Sequence, residues 1–279
     1  MLITASAAYT ASRVHDKNII SLVFTYGKSS TMSRQAYLRI LVYTASIIMY
    51  IGNMFYMTWV NRNNPVVNEQ VEQFKSLELR FFTTWTYLLQ VGYAIFALGC
   101  DLFIMKNAKN KNYSLPSPIT DFREIIFSGL VWPCTMVVFT IFWGLYSYDR
   151  RLIFPEFLDA VIPPISNHVI HTMIVPVVVC EVVLRPRKEP ENHARNVSQL
   201  TLHLCVYFSV LYFTYIERGI WLYPIFKKLF GTIYFVFAIA AIASLFYIFY
   251  YIQWPITNMI HGSKKKVEKK KANLEKKVK

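Results

Sequence analysis

GTIYFVFAIAAIASLFYIFYYIQW, residues 231–254, holds no charged side chain and no proline. A helix rising 1.5 Å per residue needs about 20 such residues to cross about 30 Å of hydrocarbon, so this run reads as a membrane span. Five further apolar runs bounded by charges have the same character: Ile40 to Asn61, Phe81 to Met105, Ile125 to Tyr148, Ala160 to Leu184 and Gln199 to Ile216. In the fourth, Pro163-Pro164 cannot sit inside a regular helix, which predicts a short loop or re-entrant segment before the helix proper. The 279 residues are 54% hydrophobic and 16% aromatic, with mean hydropathy +0.32, too apolar for an ordinary soluble domain. The expected fold class is all-α, a polytopic bundle of about six transmembrane helices in a bilayer.

A net charge of +14 would suit nucleic acid, but its placement points to a membrane and away from nucleic acid. Given six spans, one side collects Arg13, Lys17, Lys28 and Arg34, then Lys106, Lys109, Lys111 and Arg123, then Arg185, Arg187, Lys188 and Arg195, and finally the lysine tail. The other side carries fewer: Arg62, Lys75, Arg80, Arg150, Arg151, Arg218, Lys227 and Lys228. The positive-inside bias puts both termini in the cytosol. Two glycosylation acceptors, Asn112-Tyr113-Ser114 and Asn196-Val197-Ser198, then face the cytosol, where no glycan is attached.

Three segments follow. Residues 1–35 are a cytosolic N-terminal segment without the long apolar core of a signal peptide, 36–256 the six-helix transmembrane domain, and 257–279 a lysine-rich cytosolic tail. The tail can touch anionic lipid, and Lys276 and Lys277 have the spacing of a dilysine retrieval signal that coat protein reads, which predicts residence in the endoplasmic reticulum. Cys100, Cys134, Cys180 and Cys205 fall within the spans and read as small buried apolar residues, not as a disulfide frame or metal cage.

The block Asn167-His168-Val169-Ile170-His171-Thr172 puts two imidazoles and an amide where the fourth span begins. Polar groups are expensive in hydrocarbon, and those retained usually have a task. The assumed topology brings Thr83, at the start of the second span, to the same lumenal depth as His171, with Asp149, Arg150, Glu217 and Arg218 on that rim. A hydroxyl beside an imidazole can attack a carbonyl, the imidazole taking the proton and later protonating the leaving group. The plainer alternatives are a helix-start hydroxyl bonded to local backbone and a satisfied buried histidine. His168 and His171 at i and i+3 would also permit a metal, but the other histidines are scattered and no acid completes the motif, so no metal or cofactor is expected. Asn53, Gln90, Asp101, Glu181 and His203 read as interhelical hydrogen-bonding partners.

At these residues the sequence resembles the family of androgen-induced gene one and androgen-dependent TFPI-regulating protein. The resemblance runs from Arg80 to about Pro224 through Phe81-Phe82-Thr83, Gln90, Asp101-Leu102, Phe142-Trp143, Tyr146-Ser147-Tyr148-Asp149-Arg150, Pro155, Leu158-Asp159, Ile162-Pro163, the Asn-His block, Glu181 and Gly219-Ile220-Trp221-Leu222-Tyr223-Pro224. It implies a membrane threonine hydrolase that cleaves fatty acid esters of hydroxy fatty acids, with Thr83 as nucleophile and His171, the second histidine of the block, as base. His168 becomes a supporting residue, and Thr84 leaves a one-residue ambiguity. The implied lipid substrate carries a free carboxylate, for which Arg80, Arg150 or Arg218 are candidate partners, while Asn167 or backbone amides are candidate oxyanion donors. The competing expectation is a non-enzymatic multi-span lipid-binding regulator or transporter, and a third is a metal-dependent lipid oxidoreductase.

Overall fold

The computed structural model describes residues 34–63, 68–108 and 113–277, without the side chains of 263–277. Residues 1–33, the acceptor Asn112 and the side chains of Lys276 and Lys277 lie outside the described residues. Ten α-helices and no strand are found among the described residues. They are α1 (Arg34–Asn63), α2 (Glu69–Leu77), α3 (Phe82–Lys106), α4 (Ser117–Ile126), α5 (Trp132–Asp149), α6 (Pro164–His171), α7 (Ile174–Leu184), α8 (Ala194–Arg218), α9 (Pro224–Leu229) and α10 (Ile233–Lys277). Six helical units are long and apolar enough to cross a membrane: α1, α3, the continuous α4–α5, α6–α7, α8, and α10 as far as Gly262. These are the spans of an integral membrane protein.

The long helices are interrupted where proline dictates. Pro133 in α4–α5 has no N–H and would clash with the carbonyl four residues earlier, and a π-helical turn at Phe127–Val131 absorbs the conflict. The Trp132 N–H therefore reaches back to Phe127, and the released Ser128 carbonyl accepts from Gln253 Nε2 of α10 at 2.9 Å. Gly129 in this turn faces α8, where a Cβ would meet the Asn196 backbone oxygen at 3.6 Å. The fourth span begins at Pro164 after a 3-10 turn over Glu156–Ala160, four residues later than Ala160 was expected to start it. A second break separates α6 from α7. Thr172 and Met173 both donate to the His168 carbonyl, one turn before Pro176.

The α4–α5 unit is the centre of the bundle. Its apolar stretch is 67% buried inside the protein, against 11% for that of α10, and α5 packs on α3, α6, α7 and α10. α10 passes residue 256 without a break.

Two arginines placed between the spans, Arg123 and Arg187, prove to be buried beside the acids of the spans. Asp101, fully buried, accepts from Arg39 Nε at 2.7 Å and Arg123 Nη1 at 2.8 Å. Glu181 accepts from Arg187 at 2.5 Å, from Tyr93 at 2.6 Å and from Tyr43. Glu124 pairs with Arg185 and Arg187. Arg123 and Arg187, counted only as cytosolic-side charges in the sequence, are each paired and hydrogen-bonded, the condition under which buried charge is tolerated. For Arg187, burial disfavours charge, but Glu181, Tyr93 and Glu124 outweigh it and hold the guanidinium above its ordinary pKa. Two smaller expectations also change. Cys205 is exposed on α8, not buried, and His203 packs edge-on against Phe82 and Trp85 with no hydrogen-bond partner among the described residues.

Candidate active site

The first turn of α3 presents Thr83. Phe81, extended at φ −76° and ψ 137°, caps the helix without a side-chain bond. The Phe82 N–H instead donates to the hydroxyls of Tyr207 (3.1 Å) and Tyr223 (2.9 Å), while the Thr83 N–H has no partner among the described residues. Thr84, the ambiguous neighbour, donates its hydroxyl to the Glu78 carbonyl at 2.7 Å. The local-backbone role therefore belongs to Thr84, and Thr83 is left facing His171.

His171 is the last residue of α6, 5% exposed, with Phe142 of α5 stacked on its ring at 3.5 Å between centroids and 6° between planes. Its Nδ1 lies 3.2 Å from the Asn167 carbonyl and 2.7 Å from Asn167 Oδ1. A backbone carbonyl only accepts, so Nδ1 carries the hydrogen and Nε2 of the neutral ring keeps its lone pair. That nitrogen stands 3.4 Å from Thr83 Oγ1. The contact is long, as contacts between reacting groups often are before substrate tightens them.

The pair opens on a cavity of about 570 Å³ lined by residues of α1, α3, α5, α6, α8, α9 and α10. Its wall is mostly aliphatic and aromatic, including Met54, Val138, Leu158, Phe208 and Ile242. Among the described residues Glu78 is the one charged residue of its wall, and no lysine or arginine lines it. This is the volume and character of a site for an apolar ligand with a few polar groups, and Thr83 and His171 are among those groups.

Residues 38–256 match the family described as FAR-17a/AIG1-like protein. The chain belongs to this family. Androgen-dependent TFPI-regulating protein of Homo sapiens is 36% identical over 171 residues, covering 61% of this chain and 70% of that protein. Its counterpart in Rattus norvegicus is 30% identical over 203 residues, 72% of this chain and 84% of the relative. Androgen-induced gene 1 protein of Homo sapiens is 33% identical over 107 residues, 37% of this chain and 42% of that protein. No solved structure matches it significantly. The family match is wider than the resemblance read between Arg80 and Pro224, and takes in most of α1 and most of the transmembrane part of α10.

In this FAR-17a/AIG1-like chain the other expected site residues are dispersed. Arg80 is paired with Glu217 at 2.6 Å and Thr214 at 3.1 Å, Arg150 with Asp159 at 2.7 Å, and Arg218 with Glu217 at 3.6 Å. Asp149 caps the 3-10 turn at Arg150–Leu152 by accepting from the Arg151 N–H. None of the four lines the cavity. His168 is exposed, stacked on Trp143 and bonded to Thr172 Oγ1 at 3.1 Å, with no hydrogen bond to His171. Asn167, considered as an oxyanion donor, is the exception to this dispersal: it sits against His171, its amide oxygen accepting from Nδ1. The i to i+4 spacing of Asn167 and His171 on one helix was the signal for that contact. Phe142, Tyr207 and Tyr223 also shape the site; Phe142 and Tyr223 fall within the blocks of the family resemblance without a role attached, and nothing local marked Tyr207 among 19 tyrosines.

Proposed function

We propose that this chain is a membrane-embedded ester hydrolase that cleaves fatty acid esters of hydroxy fatty acids, with Thr83 as nucleophile and His171 as general base. The observation that carries the reading is His171 Nε2 standing 3.4 Å from the Thr83 hydroxyl on the wall of an apolar cavity, with Nδ1 turned to the Asn167 carbonyl. The reaction class and substrate follow the family resemblance; the geometry supports them by supplying the parts. His171 Nε2 takes the hydroxyl proton as Thr83 Oγ1 bonds to the ester carbonyl carbon. The tetrahedral intermediate collapses, the alkoxide leaves with the proton from His171, and an acyl-threonine remains. Water enters, His171 removes one proton from it, and hydrolysis returns Thr83 and releases the fatty acid. Asn167 keeps the imidazole in the tautomer that both half-reactions require.

The acyl arms of a branched ester lie in the apolar cavity. With no lysine or arginine in the wall among the described residues, the free carboxylate belongs outside it, toward the membrane surface. The same reading puts the site on the lumenal side, both termini in the cytosol and the tail lysines Lys276 and Lys277 within reach of coat protein, in the endoplasmic reticulum. The test is purified Thr83→Ala and His171→Ala protein assayed on a branched fatty acid ester beside wild type. Loss of turnover by at least about a thousandfold in both, with the fluorophosphonate labelling of wild type absent from Thr83→Ala, is expected. Full turnover in either folded variant removes the dyad, and a wild type that binds the ester without cleaving it leaves a lipid-binding regulator or transporter.

A further inference from the structure

Tyr207 and Tyr223 share one cluster with the start of α3. Both hydroxyls accept from the Phe82 N–H, at 3.1 and 2.9 Å, and they lie 3.0 Å from each other. Between them they own two O–H hydrogens. Their mutual contact uses one. The second has no acceptor among the described residues, although Tyr207 is only 6% exposed, and both rings line the cavity that holds Thr83. A buried hydroxyl left without an acceptor is costly, and such a group beside a nucleophile is suited to a charge that exists only during reaction.

The rings have little freedom to find another partner. Phe82 and Trp85 pack on Tyr207 at 4.6 and 5.4 Å, and Phe81 meets Tyr223 edge-on at 5.4 Å. Burial pushes the Tyr223 phenol up from its ordinary pKa, which keeps it a neutral donor. One residue along α3, the unpartnered Thr83 N–H is a second donor on the same helical turn.

Resting on the hydrolase reading above, we propose that the Tyr207–Tyr223 pair is the oxyanion donor of the reaction: the unspent phenolic O–H, together with the Thr83 N–H, bonds the substrate carbonyl oxygen as it becomes an alkoxide. When Thr83 Oγ1 bonds to the carbonyl carbon, the π pair moves onto that oxygen, the hydroxyl proton goes to His171 Nε2, and no proton leaves either tyrosine. Because the two hydroxyls are bonded to each other, removing one frees the other. Tyr207→Phe or Tyr223→Phe alone leaves one O–H to donate, and the double variant leaves none.

The experiment compares wild type, both single variants and Tyr207→Phe/Tyr223→Phe in detergent, with kcat and KM on a branched ester. Each is also titrated with a long-chain trifluoromethyl ketone, which adds Thr83 as a hemiketal oxyanion, and with the matching methyl ketone, which occupies the cavity as a ketone. Expected is a fall in kcat of about a hundredfold in the double variant, smaller losses in the singles, and KM within about threefold. The trifluoromethyl ketone weakens in parallel with kcat while the methyl ketone keeps its affinity. A purely structural role for the tyrosines weakens both ketones together, and that result, or an unchanged kcat in the double variant, overturns the assignment. An inactive wild type instead removes the hydrolase reading beneath it, so the two failures are distinguishable.

Discussion

Asn167 holds His171 Nδ1 with both its amide oxygen, at 2.7 Å, and its backbone carbonyl, at 3.2 Å. One residue thus fixes the tautomer and the tilt of the ring, and Phe142 stacked at 3.5 Å fixes its plane. Asn167→Leu removes only the first contact, and the backbone carbonyl still selects the tautomer. kcat on a branched ester is expected to fall about tenfold to a hundredfold, the cost of a slightly misplaced base, with KM little changed. An unchanged kcat would show that the backbone contact suffices.

Thr83 and Thr84 are adjacent but differently engaged: one hydroxyl faces His171 Nε2 and the other is bonded to the Glu78 carbonyl. Thr84→Ala should therefore keep turnover within about threefold, its cost falling on the start of α3, as for loss of a local side-chain to backbone bond of about 1 kcal/mol. Thr83→Ser keeps a nucleophile and loses the methyl that restricts χ1, and turnover within about tenfold of wild type is expected. Steady-state assays of the two proteins side by side check the assignment; a dead Thr84→Ala beside an active Thr83→Ala would reverse it.

The spans were readable because a membrane crossing is a property of one run of sequence, and no partner has to be known. What failed were places where a partner decides. In sequence, Arg123 and Glu124 read as the end of a loop, which starts the third span at Ile125; the helix begins at Ser117, with Arg123 paired to Asp101 of α3 and Glu124 to Arg185 and Arg187. The depth shared by Thr83 and His171 followed from topology, and the family resemblance picked one histidine of two. The dispersal of Arg80, Arg150 and Arg218 could not be read, since a rim in sequence says nothing about which acid each arginine meets.

The buried ionic cluster makes its own prediction. Along α3, Asp101 lies 18 residues from Thr83, about 27 Å of helix, so its loss should act on stability and not on chemistry. Asp101→Asn takes the carboxylate from Arg39 and leaves Arg123 only its longer ion pair to Glu181 at 3.8 Å, and a destabilisation of up to about 3 kcal/mol is expected from the poorly compensated buried charge. Asp101→Leu with Arg123→Met replaces both charges by apolar volume and should recover part of that loss. Thermal unfolding in detergent, read as the surviving monodisperse fraction, ranks the variants, and a single variant as stable as wild type would mean that the charges are hydrated in the bilayer.

Cavity length is the last quantity open to test. Ala238 and Ala241 of α10 are the two alanines in the cavity wall, set among Leu204, Phe208 and Ile242, where larger side chains would project into the space an acyl arm needs. Ala238 is half-buried on the outermost helix, whose stretch in the membrane is only 11% buried, so an added ring has room to settle without breaking the core. In Ala238→Trp the ring shortens one arm of the cavity while Thr83 and His171 keep their places on α3 and α6. For esters with long acyl chains kcat/KM should fall about tenfold or more, the value of a few excluded methylenes at about 0.8 kcal/mol each. For an acetyl ester, which does not reach α10, it should stay within about twofold. Hydrolysis measured across an acyl series from two to eighteen carbons (about) therefore shows a break at the length where the tryptophan is met, whereas a uniform loss at every length would place the acyl arm elsewhere.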